Sequence, residues 1–196
     1  AMTEEGAGSD VTRLATTAVR DGDDYLVDGT KSWVSNAPIA DVLITYAATE
    51  PAAGYLGITA FAIPRDLPGI HVGEPLAKLG LHGCPAGRVE FTGCRVPQRY
   101  RLGPEGSGSA VFQHSMAWER ACLFGIYLGT MADQLERTVR HARQRRQFGR
   151  SIGEFQAVAH RIATMKQRLE SSRLLLYRAC WLLDTDSDEA PAAAAL

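Results

Sequence analysis

LGPEGSG, Leu102 to Gly108, separates two different codes in this 196-residue chain. Three glycines and a proline in seven residues interrupt any regular element that tries to cross them. Before this stretch, β-branched and aromatic residues stand in short runs broken by Gly and Pro; after it, apolar residues recur at steps of 3 and 4. The expectation is a β-rich domain over residues 1–104 and a helical domain over residues 105–196.

Upstream, DYLVDGTKSWVS places Asp28-Gly29 between two runs rich in Val, Tyr, Trp and Thr, which predicts a hairpin from Tyr25 to Ser35. Further strands are expected at DVLITYAA (residues 41–48), GITAFAIP (57–64), GIHVGEP (69–75) and RVEFTGCRVP (88–97). Short strands joined by turns at this spacing give an α+β fold class, with an antiparallel β-barrel or sandwich ahead of the helices.

Downstream, two helices are expected at residues 109–128 and 131–144. The last helix is the clearest, because Phe155, Val158, Ile162, Met165, Leu169, Ser172, Leu176, Ala179 and Leu183 form an a/d seam. APAAAAL at the end reads as the start of another helix, so the second domain is expected to be part of an antiparallel helical bundle. On the first helix, Phe112, Met116, Glu119, Leu123 and Ile126 form one stripe with an acid among four apolar side chains. Two readings of Glu119 stay open: a carboxylate that swings to a nearby Arg or to water, and one held in an apolar pocket as a catalytic base.

With 45% hydrophobic residues the chain can bury a core, and no run nears the roughly 18 apolar residues of a membrane span. AMTEEGAGSD has no signal-peptide character, so a cytoplasmic location is expected. Cys84, Cys94, Cys122 and Cys180 show neither a paired spacing nor matching histidines, which argues against disulfides and against a metal site. A net charge of -1 offers no general attraction to nucleic acid or membrane.

Three other stretches carry chemistry. TEEGAGSD (Thr3 to Asp10) puts two glycines beside hydroxyl groups, an arrangement that suits either an ordinary turn or close backbone approach to a ligand. KSWVSN (Lys31 to Asn36) places Trp33 and Ser35 on one strand face. Residues 137–150 hold six arginines and no acid, readable as a solvated face or as a site for phosphate, pyrophosphate or RNA. RNA is disfavoured because Phe148 is the only aromatic among them.

In this order, TEEGAGSD, GTKSWVSN, FAIPRDLPGIHVG, KLGLHG, VEFTGCRVP, LGPEGSG, WERACLFGIYLG and RQRRQFGRSIGEFQA resemble the acyl-CoA dehydrogenase family of flavoproteins over nearly the entire chain. The resemblance implies an FAD-holding middle domain, a covering helical bundle, and assembly as a tetramer or dimer. It also implies that this sequence is the central half of such a protein. By resemblance Thr3 lies near the flavin ring, and Ser9 sits where flavin and the thioester's pantetheine arm meet. Trp33 covers the ring and Ser35 donates to flavin N5. Arg145, Gln147 and Phe148 match residues that hold the adenosine-pyrophosphate end of FAD across a subunit interface, with Gln156 in the same region. The pattern departs at Glu5, where Pro is usual, and at Ala37-Pro38, where Gly is common after the Asn.

The family reaction removes the proton alpha to a thioester carbonyl and passes a hydride from the beta carbon to flavin, so it needs a carboxylate base. Most members carry that base beyond this chain's last residue. A subgroup resembling isovaleryl-CoA dehydrogenase carries it where Glu119 falls, in an apolar surround that would raise its pKa. The implied substrate is an acyl-CoA, with an acyl group on a carrier protein as the rival. Electrons would pass to an electron-transfer flavoprotein or to oxygen. A noncatalytic half-length member of the fold is the alternative from another class.

Overall fold

The computed structural model describes residues 1–196, which divide into two compact units, Ala1–Gln113 and His114–Leu196. The first unit contains β1 (Thr17–Asp21), β2 (Asp24–Ser35), β3 (Val42–Ala48), β4 (Ile58–Pro64), β5 (Ile70–Val72), β6 (Ala86–Pro97) and β7 (Arg101–Leu102). They form one sheet in the order β5-β6-β2-β1-β3-β4-β7. Every pairing is antiparallel except β1 with β3, which meet in parallel at Thr17 and Ala48.

The hairpin expected at Asp28-Gly29 is not there. β2 runs unbroken through both residues, and the chain reverses one Asp-Gly earlier, where Asp21 pairs with Asp24 across Gly22 at φ 65°. A two-residue loop opening with Gly matches the twist of the flanking strands. Gly29 serves a different need: it lies beside a register shift with β6, and a Cβ there would stand 2.6 Å from Thr16 Cα. Asp-Gly can mark a bulge or a close approach as well as a turn.

Alternation along the strands builds the core of this unit, in which Tyr25, Val27, Phe61, Ile63, Val89, Phe91 and Val96 are buried. Tyr25 and Phe61 meet edge to face at 5.0 Å. Burial of each such side chain contributes about 1.5–3 kcal/mol. At the break in the code, Gly106 N–H donates to Thr59 Oγ1 at 2.9 Å, and a Cβ on Gly108 would come within 2.7 Å of the Ile58 carbonyl oxygen.

From Gly108 one helix, α1 (Gly108–Gln144), runs 37 residues in place of the two expected. The interior glycines Gly125 and Gly129 cost about 1 kcal/mol each against Ala but remove no backbone donor, so the hydrogen-bond ladder continues through them. In the second unit follow β8 (Arg146–Gln147), β9 (Arg150–Ser151), α2 (Gln156–Asp184) and α3 (Ala190–Ala195). Ala121, Ala179, Leu182, Leu183, Ala190 and Ala194 form its core. Phe124, Ile126 and Tyr127 on α1 and Leu174, Leu175 and Trp181 on α2 are exposed, so the apolar faces of both helices are only partly covered by this chain.

Candidate functional site

In the first unit, the start of the chain bonds to two strands, Ala1 to β3 at Ile44 and Tyr46, and Met2, Thr3 and Glu4 to β2 at Lys31 and Ser32. Glu4 and Ala7 exchange backbone hydrogen bonds at 2.9 and 3.2 Å, closing a tight loop over Glu5 and Gly6. Cβ atoms added at Gly6 or Gly8 would meet nothing within 4 Å. Neither glycine is therefore demanded by the chain's own packing, which leaves bare backbone facing open space. Thr3 and Ser9 are exposed on this loop, and Asp10 caps the 3-10 turn Val11–Arg13 through Thr12 N–H at 3.3 Å.

Thr3 is tied directly to the strand that carries Trp33. Its carbonyl accepts Ser32 N–H at 2.8 Å. The next residue, Trp33, has φ 60° in a β-bulge: Lys31 pairs with Val89 and Val34 with Gly87, so three steps on β2 oppose two on β6. A bulky residue at positive φ is uncommon and strained, and such strain gathers at functional sites. The bulge has a plain consequence. Period-two alternation from the buried Tyr25, Val27 and Lys31 would carry Trp33 into the core; instead Val34 is buried and Trp33 is 66% exposed. Ser35 is exposed beyond Val34, and Asn36 ends the strand at φ 61°.

Sequence reading missed the pair beneath this edge. Lys31 is fully buried and its ammonium lies 2.8 Å from Glu4 Oε1. Burial pushes the Lys31 ammonium below its ordinary 10.5, with Glu4 opposing. Burial also opposes ionisation of Glu4, but donation from Lys31, Thr16 and Ala15 outweighs it and holds the carboxyl below 4.5. The available signal was alternation itself, which puts Lys31 in register with Tyr25 and Val27 on the inward face.

In the second unit, β8 and β9 form a hairpin whose tip, Phe148-Gly149, takes φ 53° and 81°, positive at both residues as a type I′ turn requires. Phe148 is 92% exposed and touches Phe155 edge to face at 6.2 Å. The Arg150 guanidinium lies 4.1 Å over the Phe155 ring. Ser151 and Glu154 close a capping box below, and donation from Ser151 holds the Glu154 carboxyl below its ordinary range. Arg137 and Arg140 pair with Asp133 and Glu136 one turn back on α1, whereas Arg143, Arg145, Arg146 and Arg150 form no salt bridge. Arg145, Gln147 and Gln156 are exposed around the tip. Guanidinium groups without a carboxylate partner beside an open aromatic suit an anion with a flat ring attached.

Glu119 stands on α1 as an exposed side chain, and its stripe neighbours Leu123 and Ile126 are 47% and 65% exposed. The apolar surround expected there is thus not built by this chain. The unit does hold an apolar cleft of about 240 Å³, lined by Phe124, Tyr127, Leu175, Leu176, Ala179 and Leu196, and Glu119 is not among its lining residues. No three His, Cys, Asp or Glu side chains are grouped to hold a metal ion, and no helix is long and apolar enough to cross a membrane.

Comparison with known proteins adds an independent line. Residues 1–94 match the family model "Acyl-CoA dehydrogenase, middle domain" and residues 106–196 match "Acyl-CoA dehydrogenase, C-terminal domain". The chain is 57% identical to an L-prolyl-[peptidyl-carrier protein] dehydrogenase of Pseudomonas fluorescens, over 94% of this chain and 49% of that protein. It is 40% identical to a mitochondrial isovaleryl-CoA dehydrogenase of Oryza sativa subsp. japonica, over 90% of this chain and 43% of that protein. The solved structure of PigA with FAD and proline superposes with a TM-score of 0.93 at 46% identity, covering 100% of this chain and 51% of that one. The chain therefore spans about half the length of the relatives it matches.

Proposed function

The chain belongs to the acyl-CoA dehydrogenase family, and from that premise we propose that the full-length protein is an FAD-dependent dehydrogenase of an acyl thioester, with a prolyl group on a carrier protein as its substrate. The observation that carries the choice of substrate is the identity of 57% with a prolyl-carrier-protein dehydrogenase against 40% with an enzyme of a coenzyme A thioester.

The residues present fit FAD. Open glycine backbone at Gly6 and Gly8, an aromatic face turned outward at Trp33, and the exposed Arg145 side chain, which forms no salt bridge, are features that the chain's own packing does not use. Thr3, Ser9, Trp33 and Ser35 would hold the flavin ring, and Arg145, Gln147, Phe148 and Gln156 the adenosine-pyrophosphate end of FAD bound to a neighbouring copy in a dimer or tetramer. When bound, FAD supplies the acceptor for the beta hydride, and an electron-transfer flavoprotein or oxygen takes the electrons onward.

Each side chain then has a physical task. Glu119 accepts the alpha proton on a carboxylate oxygen. Trp33 shields one face of the ring from water, and the Ser35 hydroxyl donates a hydrogen bond along its edge. The Ser9 hydroxyl orients the thioester arm. Arg145 offers charge-assisted hydrogen bonds to pyrophosphate.

The test is anaerobic mixing of the purified full-length protein with prolyl thioesters of a carrier protein and of coenzyme A, following the visible flavin band. Bleaching that is much faster with the carrier thioester is the expected result. Equal or faster bleaching with the coenzyme A thioester would return the substrate to the acyl-CoA class, and a colourless protein would remove the enzymatic reading.

A further inference from the structure

The buried Glu4–Lys31 pair has no part in the chemistry above, yet it joins three segments at the edge where Thr3 and Trp33 stand. The Lys31 ammonium donates to Glu4 Oε1 at 2.8 Å and to the Met2 carbonyl at 3.2 Å. The Glu4 carboxylate also accepts Ala15 N–H at 2.6 Å and Thr16 N–H at 3.0 Å, just before β1 begins. Ser32 N–H holds the Thr3 carbonyl. Met2, Thr3 and Glu4 are thus each bonded to Lys31 or Ser32, and the next residue along β2 is the bulged Trp33. The Glu4–Ala7 bonds are internal to the loop; Ala1 fastens the start of the segment to β3 at Ile44 and Tyr46, and Ala7 is buried beyond it, which leaves Glu4 and Lys31 to fix the part between, at Met2, Thr3 and Glu4.

We infer that Glu4 and Lys31 are positioning residues, whose ion pair sets the spacing between the Thr3 loop and the bulged Trp33 at the flavin edge. This rests on the reading that Thr3 and Trp33 face FAD. Stability alone does not call for the charges: a buried ion pair can be exchanged for apolar side chains of similar volume at little or no loss, because desolvation consumes most of the attraction. Apolar packing at these two sites, however, has no direction. The carboxylate receives three donors from two segments, and the ammonium reaches two oxygens of a third, so only one placement of the loop satisfies all of them.

The experiment compares the full-length protein with the double variant Glu4→Leu/Lys31→Met, which leaves no lone buried charge. The measurements are the FAD dissociation constant, the shape of the bound flavin's visible band, and the melting curve of the apoprotein. The expected result is an apoprotein that melts within a few degrees of the parent, with FAD bound about tenfold or more weakly, as after loss of a charge-assisted hydrogen bond, and an altered band. Should the double variant fail to fold, Glu4→Gln/Lys31→Met carries the same comparison, because it too leaves no lone buried charge and the amide oxygen still accepts from Ala15 and Thr16. An unchanged dissociation constant and band, whatever the melting curve does, would overturn the inference and leave the pair a structural one. Failure of the underlying reading is separable: a parent that retains no FAD, or a Trp33→Ala variant with an unaltered band, defeats the flavin assignment itself.

Discussion

The Lys31 ammonium and the Glu4 carboxylate lie 2.8 Å apart, and neither side chain is more than 7% exposed. Against the opposing effect of burial, the surrounding donors hold the Glu4 carboxyl below 4.5 in the fold. A carboxyl with a depressed folded pKa contributes stability above its unfolded value and loses it as pH falls through the folded one. The melting midpoint should therefore drop on acidification from neutral pH past 4.5, and this part of the drop should be missing from Glu4→Leu/Lys31→Met. Lys31→Met alone strands the carboxylate, and a loss of about 3–5 kcal/mol in urea unfolding at neutral pH is expected.

Gly29 and Gly22 separate a close approach from a turn. Gly29→Ala forces a Cβ to within 2.6 Å of Thr16 Cα at φ 144°. Overpacking together with strain should cost about 1–3 kcal/mol or more. Gly22→Ala meets open space at φ 65° and should cost only about 1–2 kcal/mol. Urea titrations of both variants check the ranking, and equal tolerance would mean that the backbone at Gly29 is not crowded.

Arg145→Ala should weaken FAD retention by about 1.5–3 kcal/mol, the worth of charge-assisted bonds to pyrophosphate. The side chain is exposed and forms no salt bridge, so the apoprotein melting curve should hardly move. Arg140→Ala, which breaks the 3.0 Å pair with Glu136, is the comparison. Equal FAD dissociation constants for Arg145→Ala and the parent would make the cluster a solvated face.

Glu119→Gln keeps the size of the side chain and removes the proton acceptor. Flavin and thioester should still bind, while stopped-flow bleaching at saturating substrate slows by about 10² to 10⁴-fold, the usual worth of a positioned base. A wild-type bleaching rate in this variant would move the base elsewhere in the full-length protein.

Much of the fold was legible because its signals are local. The apolar and β-branched runs of residues 41–48, 57–64 and 88–97 between Gly and Pro turns give strands, and the 3-4 seam from Phe155 to Leu183 gives α2. The glycines of LGPEGSG mark a change that any local reading detects. The errors were equally physical. TAVRD, which forms β1, is short and half polar, so it carried no strand signal until β2 stood beside it. Asp28-Gly29 and Asp21-Gly22 are the same dipeptide, and only the pairing of β2 with β1 and β6, which runs on past Asp28-Gly29, shows which of them turns. Helical periodicity does not say whether Gly125 and Gly129 interrupt α1.

For the candidate site, the sequence by itself determined which residues are available: a Gly-rich loop, an aromatic beside a hydroxyl, an arginine run and one acid on an apolar stripe. It also determined the family. Only the tertiary structure decided that Lys31 is buried against Glu4, that a bulge turns Trp33 outward, and that Leu123 and Ile126 beside Glu119 stay uncovered within this chain. Residue type and period are properties of neighbours along the chain, whereas burial, register and ion pairing depend on residues that are distant in sequence and meet only when the sheet and helices assemble.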